Sequence, residues 1–598
     1  MSNIYADRLA ALRGLMRSRG WDAVVLTGSD PHGSEYPAAR WKQVQWLTGF
    51  GGEAGDVVVT GDHAGLWTDS RYFVEAGRVL PGTGFELHKT RIPGAVPIPQ
   101  WLAEKADEGP FVVAVDGLCQ SVASVNEMLS AGGEDFRVLD VPDMLDSLWY
   151  DRPSVPSGTV ITLGEEMTGE SREDKILWLR GCIAEKGCDA ILLSALDDIA
   201  WLLNVRGADI PYNPLVVSWL LVSLDEVVWY VGKGEPDADT ADSFAELEAD
   251  GITIMPYDEA ALDLAQHQGE GISCLWVDPS SLNYHLSSAL GQSLLKAPSP
   301  VPLRRACKND TELEAMREVH LEDGLAMERF LFWLERRLEY GEPVSERDAA
   351  DMLGMLRARI PGYRGDSFET ISAYGEGAAL PHYVTPEDDA PVLEQRGLYL
   401  CDSGGQYLYG TTDITRTIPL GECSRLEKED YTLVLKGHIA LARAVFPKGT
   451  AGCHLDVLAR EPLWNAKRNF GHGTGHGVGT FLCVHEGPQD IRQNTNPQPI
   501  LPGMVTSDEP GIYREGLHGV RHESLLLCKE LGTNEFGTWL GFEVLTLCHI
   551  DTSIVVKELL SGDEIAWLNA YNRRVYETLS KRLDGEVTAW LEDKCRPL

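Results

Sequence analysis

The run YLCDSGGQYLYGTTDITRT (residues 399–417) places two aspartates, Asp402 and Asp413, on either side of a short turn and reads as a β-hairpin. With the turn centred on Leu408–Tyr409, Tyr407 faces Gly410 and Gly404 faces Asp413. Side chains alternate between faces with period two, so Asp402 shares a face with Gly404 and the two carboxylates become diagonal neighbours. Gly404, which has no side chain, is expected to leave room for an ion. Three stretches downstream carry side chains of the same chemistry: His476 in FGHGTGHGVGTFLCVHEGP (470–488), Glu509 in VTSDEPGIY (505–513) and Glu523 in GVRHESLLL (519–527). Four carboxylates and one imidazole are a hard, oxygen-rich set. Such a set suits a pair of manganese-type divalent ions better than a closed, thiolate-bound zinc. Two ions about 3.5–4 Å apart make hydroxide from water at neutral pH and polarise a carbonyl, so the set points to hydrolysis.

HGTGH (472–476) has the i, i+4 histidine spacing of a helical zinc pair, but its glycines oppose a helix and the expected glutamate is missing. A glycine-lined strand or loop is predicted instead. Pro510 and Gly511 turn the chain just after Glu509. Arg521 and Glu523, two residues apart on one predicted strand, are expected to share a face, the arginine holding the glutamate ionised and oriented. Taken singly, each feature reads equally well as a solvated hairpin, a structural histidine or a surface ion pair.

At 598 residues the chain exceeds one hydrophobic core. Hydrophobic residues at 43% and charged residues at 24% are ordinary for a globular protein. The 52 basic and 91 acidic residues leave a net charge of −39, which argues against nucleic acid or an anionic membrane as partner. No run approaches a membrane span, and the N-terminus lacks a secretory pattern. The twelve cysteines form no CxxC pair and are expected to be reduced thiols in a cytoplasmic protein.

The first segment alternates helices (YADRLAALRGLMRSRG, RYFVEAGRVL) with strands (WDAVVLTG, DVVVTG, HAGLWTD) in an α/β layout. A second segment repeats the theme: GWDAVVLTGSD (20–30) is paralleled by GCDAILLSALDD (187–198). Proline-rich WYDRPSVPSG (149–158) and LLKAPSPVPLRRACKND (294–310) mark the boundaries, giving expected domains 1–152, 153–303 and 304–598. The third opens with a long helix and closes with a Ser-capped one, SGDEIAWLNAYNRRVYETLSKRL, read as terminal.

In order and spacing, the third-domain motifs resemble the creatinase/prolidase/methionine aminopeptidase superfamily of family M24 peptidases. WTDSRYF (67–73), SALDDIAWLLNVRG (194–207), NPLVVSWLLV (213–222), HGTGHGVGTFLCVHEGP (472–488) and WLNAYNRRVYETL (567–579) narrow the likeness to the long, three-domain Xaa-Pro aminopeptidases. The resemblance implies two related α/β creatinase-like domains followed by a pita-bread catalytic domain. It implies Asp413 and Glu523 bridging two ions, Asp402 on one, and His476 with Glu509 on the other. A bridging hydroxide would attack the carbonyl, with Glu509 as proton carrier. His382 matches a further active-site histidine, His472 and His485 a substrate-positioning pair, and Tyr513 with Arg521 a hydrogen-bonded pair beside the metals. The implied activity is release of an N-terminal residue ahead of proline, by a homodimer loaded with Mn2+, or Zn2+ or Co2+. His472, Val484 and Arg521 are expected to line a slot for the proline ring, and His522, unusual for the family, to tune pH dependence. Two alternatives stay open: a prolidase-type Xaa-Pro dipeptidase, and a pita-bread module that binds peptides without cutting them.

Overall fold

Short apolar runs buried on both faces make the central strands of two sheets, as parallel-rich sheets covered by helices require. In the first, the strands are β1 (Ala23–Leu26), β2 (Gly55–Thr60), β3 (Ala64–Thr68), β4 (Glu86–Lys89), β5 (Phe111–Val115) and β6 (Phe136–Asp140), in the order β4-β3-β2-β1-β5-β6. β1 runs antiparallel to β2 and parallel to β5. The second sheet has the same plan. Its strands, in spatial order, are Ile252–Pro256, Val227–Val231, Ser218–Ser223, Ala190–Leu193, Leu275–Val277 and Leu294–Lys296. Every neighbouring pair repeats the direction of its counterpart in the first sheet. The parallel between GWDAVVLTGSD and GCDAILLSALDD therefore marks equivalent central strands. The structure is a computed structural model; it describes residues 3–106, 109–232, 234, 236–290 and 293–598, without the side chains of 267–270. Both sheets belong to one compact unit, residues 1–164 with 170–301; residues 165–169 and 302–598 form the other. Among the described residues, no helix is long and apolar enough to cross a membrane.

The second unit opens with the 30-residue helix Asp310–Glu339. Its start is fixed by a capping box, Asn309 accepting from Glu312 N while Glu312 accepts from Asn309 N. Its buried face, including Met327, Phe330 and Leu334, joins Tyr399, Tyr431, Leu568 and Val575 in one core. The helix Gly562–Leu579 is capped by Ser561 with Glu564, as its sequence predicts. It is not terminal, however: a further helix, Gly585–Lys594, follows with Asp584 as its cap. Among the described residues, strands surround this core in four antiparallel groups. The one that matters most at the centre is a six-stranded sheet ordered Val445–Pro447, Gly537–Val544, Ser524–Asn534, Val505–Asp508, Gly475–Gly477 and Glu486–Ile491.

Candidate metal centre

The hairpin around Asp402 and Asp413 has the register read from its sequence. Asp402 pairs with Thr415 and Ser403 with Ile414 in one ladder, and Tyr407 with Gly410 in the next. Gly404, in contrast, does not make room for an ion. A Cβ there would run into the Thr412 carbonyl oxygen and the Ser367 hydroxyl, so the glycine admits protein, with Ser367 Oγ donating to Thr412 O at 2.9 Å.

His476 lies on the strand Gly475–Gly477, not on a helix. A Cβ at Gly475 would collide with the Ser507 carbonyl, so only glycine allows the neighbouring strand to pack this closely. The imidazole Nδ1–H of His476 donates to Gly477 O at 3.0 Å. That bond turns Nε2 toward the carboxylates, 3.4 Å from Asp413 Oδ2 and 3.5 Å from Glu509 Oε1. Glu509 follows the strand Val505–Asp508, and its own N–H donates to Thr474 O at 2.8 Å.

The predicted single strand through Arg521 and Glu523 is broken: His518–Arg521 pairs with Gly511–Arg514, while Ser524–Asn534 pairs with Val505–Asp508. Both side chains still converge, through Thr415. Arg521 Nε donates to Thr415 Oγ1 at 3.1 Å, and that hydroxyl donates to Glu523 Oε2 at 2.8 Å. Arg521 is paired with a different carboxylate from the one expected. Its Nη2 forms a short bond to Asp402 Oδ2, and Nη1 donates to Tyr513 OH at 2.6 Å. Thr415, which carries no motif of its own in the sequence, is the joint between these groups.

Asp413, His476 and Glu523 each offer a donor atom within 4.8 Å of the others. Burial pushes the Glu523 carboxyl well above its usual range, and Asp413, Asp402 and Glu509 add to the shift. Burial likewise raises Asp402 against the pull of Arg521, and raises Glu509 against His476 and Arg521. Asp402 Oδ1 is buried with no hydrogen-bond partner. Four carboxylates crowded in this way, with a buried, orphaned oxygen among them and the Arg521 guanidinium paired to Asp402, call for further positive charge. The residues fit two divalent cations.

Tyr513 OH, accepting from Arg521, donates to His472 Nε2 at 2.7 Å, while His472 Nδ1 donates to Gly473 O at 2.7 Å. Burial and the Arg521 charge hold His472 well below the ordinary histidine range, so it is neutral with both nitrogens engaged. His485 stands edge-on to His476, ring centres 4.3 Å apart. His382 follows Pro381, whose carbonyl accepts from Arg521 at 3.4 Å, and it contributes to the lowering at His472. Val484, expected with His472 and Arg521 to line a slot for the proline ring, is fully buried. His522 is fully buried against the Tyr431 ring and held well below its ordinary range, which places it outside any neutral-pH titration. Glu486, next to His485, is buried between Arg305, at 3.1 Å, and Lys308.

Residues 314–530 match the family described as metallopeptidase family M24. Residues 8–148 and 151–312 match creatinase/prolidase N-terminal domains, and 538–598 the C-terminal region of peptidase M24. A probable Xaa-Pro aminopeptidase P of Laccaria bicolor is 37% identical over 99% of this chain and 93% of its own. The chain belongs to metallopeptidase family M24. Aminopeptidase P2 of Arabidopsis thaliana is 36% identical over 99% of this chain and 88% of its own. The crystal structure of the Caenorhabditis elegans X-prolyl aminopeptidase, described as a cytosolic enzyme with a di-nuclear active site, matches with a TM-score of 0.94 at 35% identity. That match covers 99% of this chain and 100% of the other. An Xaa-Pro dipeptidase from Bacillus anthracis matches at TM-score 0.51 and 28% identity, covering 99% of its own chain but 64% of this one. This M24 chain is thus a hydrolase with two creatinase-type domains ahead of its catalytic domain, as expected from its motifs.

Proposed function

We propose that this M24 enzyme is an Xaa-Pro aminopeptidase, removing the N-terminal residue from peptides with proline in second position. The observation that carries this reading is the match along 99% of the chain to an X-prolyl aminopeptidase, where the dipeptidase match stops at 64%. In the proposal, Asp402, Asp413, His476, Glu509 and Glu523 hold two divalent ions, manganese being preferred for an oxygen-rich set. When bound, the ions lower the pKa of water and polarise the scissile carbonyl.

The chain's own residues then orient and move protons. Glu509, whose carboxyl is raised by burial, takes a proton and delivers it to the departing prolyl nitrogen. The bond from His476 Nδ1–H to Gly477 O fixes the ring so that Nε2 faces Asp413 and Glu509. Arg521 holds Asp402 and Tyr513 in place, and Tyr513 in turn locks His472. His382 and His485 position the peptide. A tertiary Xaa-Pro amide has no N–H to offer, so its recognition rests on shape and on the free amino terminus. We further propose boundaries near residues 152 and 303, a cytosolic location and a homodimer. The first two follow the proline-rich joints and the cytosolic neighbour.

The test is release of arginine from Arg-Pro-Pro, and cleavage of Gly-Pro, by metal-stripped protein with and without manganese. The expected result is manganese-dependent cleavage of the tripeptide, falling at least about 100-fold in Asp413→Asn. Cleavage of Gly-Pro alone would make the enzyme a prolidase. Cleavage of neither would end the aminopeptidase reading.

A further inference from the structure

A second set of metal-binding side chains lies in the first sheet and shares no residue with the centre described above. β4 is an edge strand, parallel to β3, with Gly65 opposite Glu86 and Trp67 opposite His88. Because faces alternate with period two, Gly65 and Trp67 share a face with Glu86 and His88. His63 enters the same face from the turn before β3. Gly65 sits in the middle of the group. A Cβ there would come within 2.7 Å of His88 Cδ2 and 2.9 Å of His63 Nε2, so its absence lets the two imidazoles fold in over the backbone.

The rings are hydrogen-bonded tip to tip, Nε2 to Nε2, at 3.0 Å, one donating and the other accepting, a bond that an ion between them would replace. Each is braced by an indole: His88 stacks on Trp67 with centroids 3.7 Å apart and planes 13° apart, and His63 packs on Trp101 at 5.1 Å. Trp67 is itself pinned, its indole N–H donating to Val96 O at 3.1 Å. One donor atom each from His63, Glu86 and His88 falls within 4.8 Å of the others, and Glu86 is exposed.

We infer that His63, His88 and Glu86 form a binding site for a zinc-class divalent cation at the edge of the first sheet. Two nitrogens each about 2.0–2.1 Å from one ion stand about 3.3–3.4 Å apart at the tetrahedral angle, so the two ring tips, 3.0 Å apart, need to part by only about 0.3–0.4 Å to seat one ion. Two imidazoles and one carboxylate are a borderline-soft set that prefers zinc and keeps the fourth position for water. Partial burial holds both histidines below their ordinary range, so they are uncharged donors at neutral pH. Two competing cations act on His63: Lys105, whose ammonium lies over the Trp101 ring at 5.3 Å, and Arg13. Another grouping, Glu328 with Cys548 and His549, carries no such reading. There, His549 N and Nδ1 both donate to the Glu328 carboxylate at 2.7 Å, so its oxygens are already used.

The experiment uses the full chain, stripped with chelator, reloaded with zinc chloride and desalted before metal counting by mass spectrometry. His63→Asn/His88→Asn is expected to hold one zinc equivalent fewer per chain than wild type, with unchanged Arg-Pro-Pro hydrolysis under manganese. Asp413→Asn is expected to keep the extra equivalent while losing metal from the candidate centre, so a failure of one site cannot be taken for failure of the other. Glu86→Gln should weaken the extra equivalent at least tenfold. In wild type, zinc should protect His63 and His88 from diethylpyrocarbonate, read by peptide mass. This arm stands even if the double variant does not fold. Equal zinc in wild type and both edge variants, or no protection of the two histidines, would overturn the site.

Discussion

Replacing Arg521 by lysine keeps the positive charge and removes the fork, and the structure says what the fork is for. The guanidinium serves four acceptors with three different nitrogens: Asp402 and, at 3.4 Å, Pro381 O through Nη2, Tyr513 OH at 2.6 Å through Nη1 and Thr415 Oγ1 at 3.1 Å through Nε. A lysine ammonium is a single compact donor and reaches one of these positions from the same backbone site. In the buried centre it settles on Asp402, and Tyr513 and Thr415 lose their donor. Hydrogen bonds from a charged donor contribute about 1.5–3 kcal/mol each, so two losses come to about 3–6 kcal/mol. Rearrangement of the hydroxyls recovers part of this. A residual of about 3 kcal/mol is a factor of about 100 in kcat/KM, since each 1.36 kcal/mol is tenfold. The assay is Arg-Pro-Pro hydrolysis by Arg521→Lys at saturating manganese, with metal content determined on the same samples. A drop in kcat/KM of about 100-fold with metal retained places the loss in the oriented network. Arg521→Met, which also abandons the buried Asp402 charge, is expected to unfold at lower denaturant, by about 3–5 kcal/mol. A lysine variant within threefold of wild type in both kcat/KM and metal affinity would refute the reasoning.

Gly475→Ala drives a methyl into the Ser507 carbonyl from the middle of a sheet, where neither neighbouring strand can retreat. It should cost about 1–3 kcal/mol in urea unfolding and lower metal content by displacing His476; unchanged unfolding would contradict it. Tyr513→Phe removes the hydroxyl joining Arg521 to His472, and should lower kcat/KM about tenfold with little change in stability, measured as above. For Asp430, burial pushes the carboxyl up, but hydrogen bonds from His518 and Arg514 and the Arg468 charge outweigh it and hold the group below the usual aspartate range. Its folded value lies below its unfolded one, so its contribution is full above about pH 3.9 and is lost as pH falls through the folded value. Asp430→Asn should therefore lower stability at neutral pH and flatten the acid limb of the stability curve below about pH 4, followed by urea unfolding. An acid limb as steep as wild type would count against it.

The parts of the centre that follow from local chemistry were legible in the sequence. Period-two alternation was enough to set the register of the hairpin around Asp402 and Asp413, and glycine density was enough to move HGTGH away from a helix. Parallel motifs 167 residues apart found the two matching sheets because both begin at the same central strand, Ala23 in one and Ala190 in the other. What escaped was set by partners distant in the chain. Arg521 chose Asp402, 119 positions away, over Glu523 two positions away, because the strand breaks between them. Thr415 had no signal of its own, its role appearing only when the Arg521 and Glu523 segments cross it. Gly404 was read as space for an ion because a sequence shows that a side chain is absent, but not what fills the gap.

The burial of Glu486 between Arg305 and Lys308 bears on how separable the catalytic domain is. The M24 match starts at residue 314, and the preceding creatinase-type match runs to 312, so a sequence-guided excision would cut between them. Such a cut would discard both cations, leaving a fully buried carboxylate beside His485 uncompensated, at about 3–5 kcal/mol. Lys308 N also donates to Gly503 O, and Asn309 caps the long helix, so the same cut would fray two further attachments. The eleven residues from Pro302 to Glu312, by ancestry the tail of one module, are by mechanics the keel of the next. Module borders drawn from descent and those drawn from load transfer do not coincide here, and any recombination of these domains between relatives would need to carry that segment with the catalytic half.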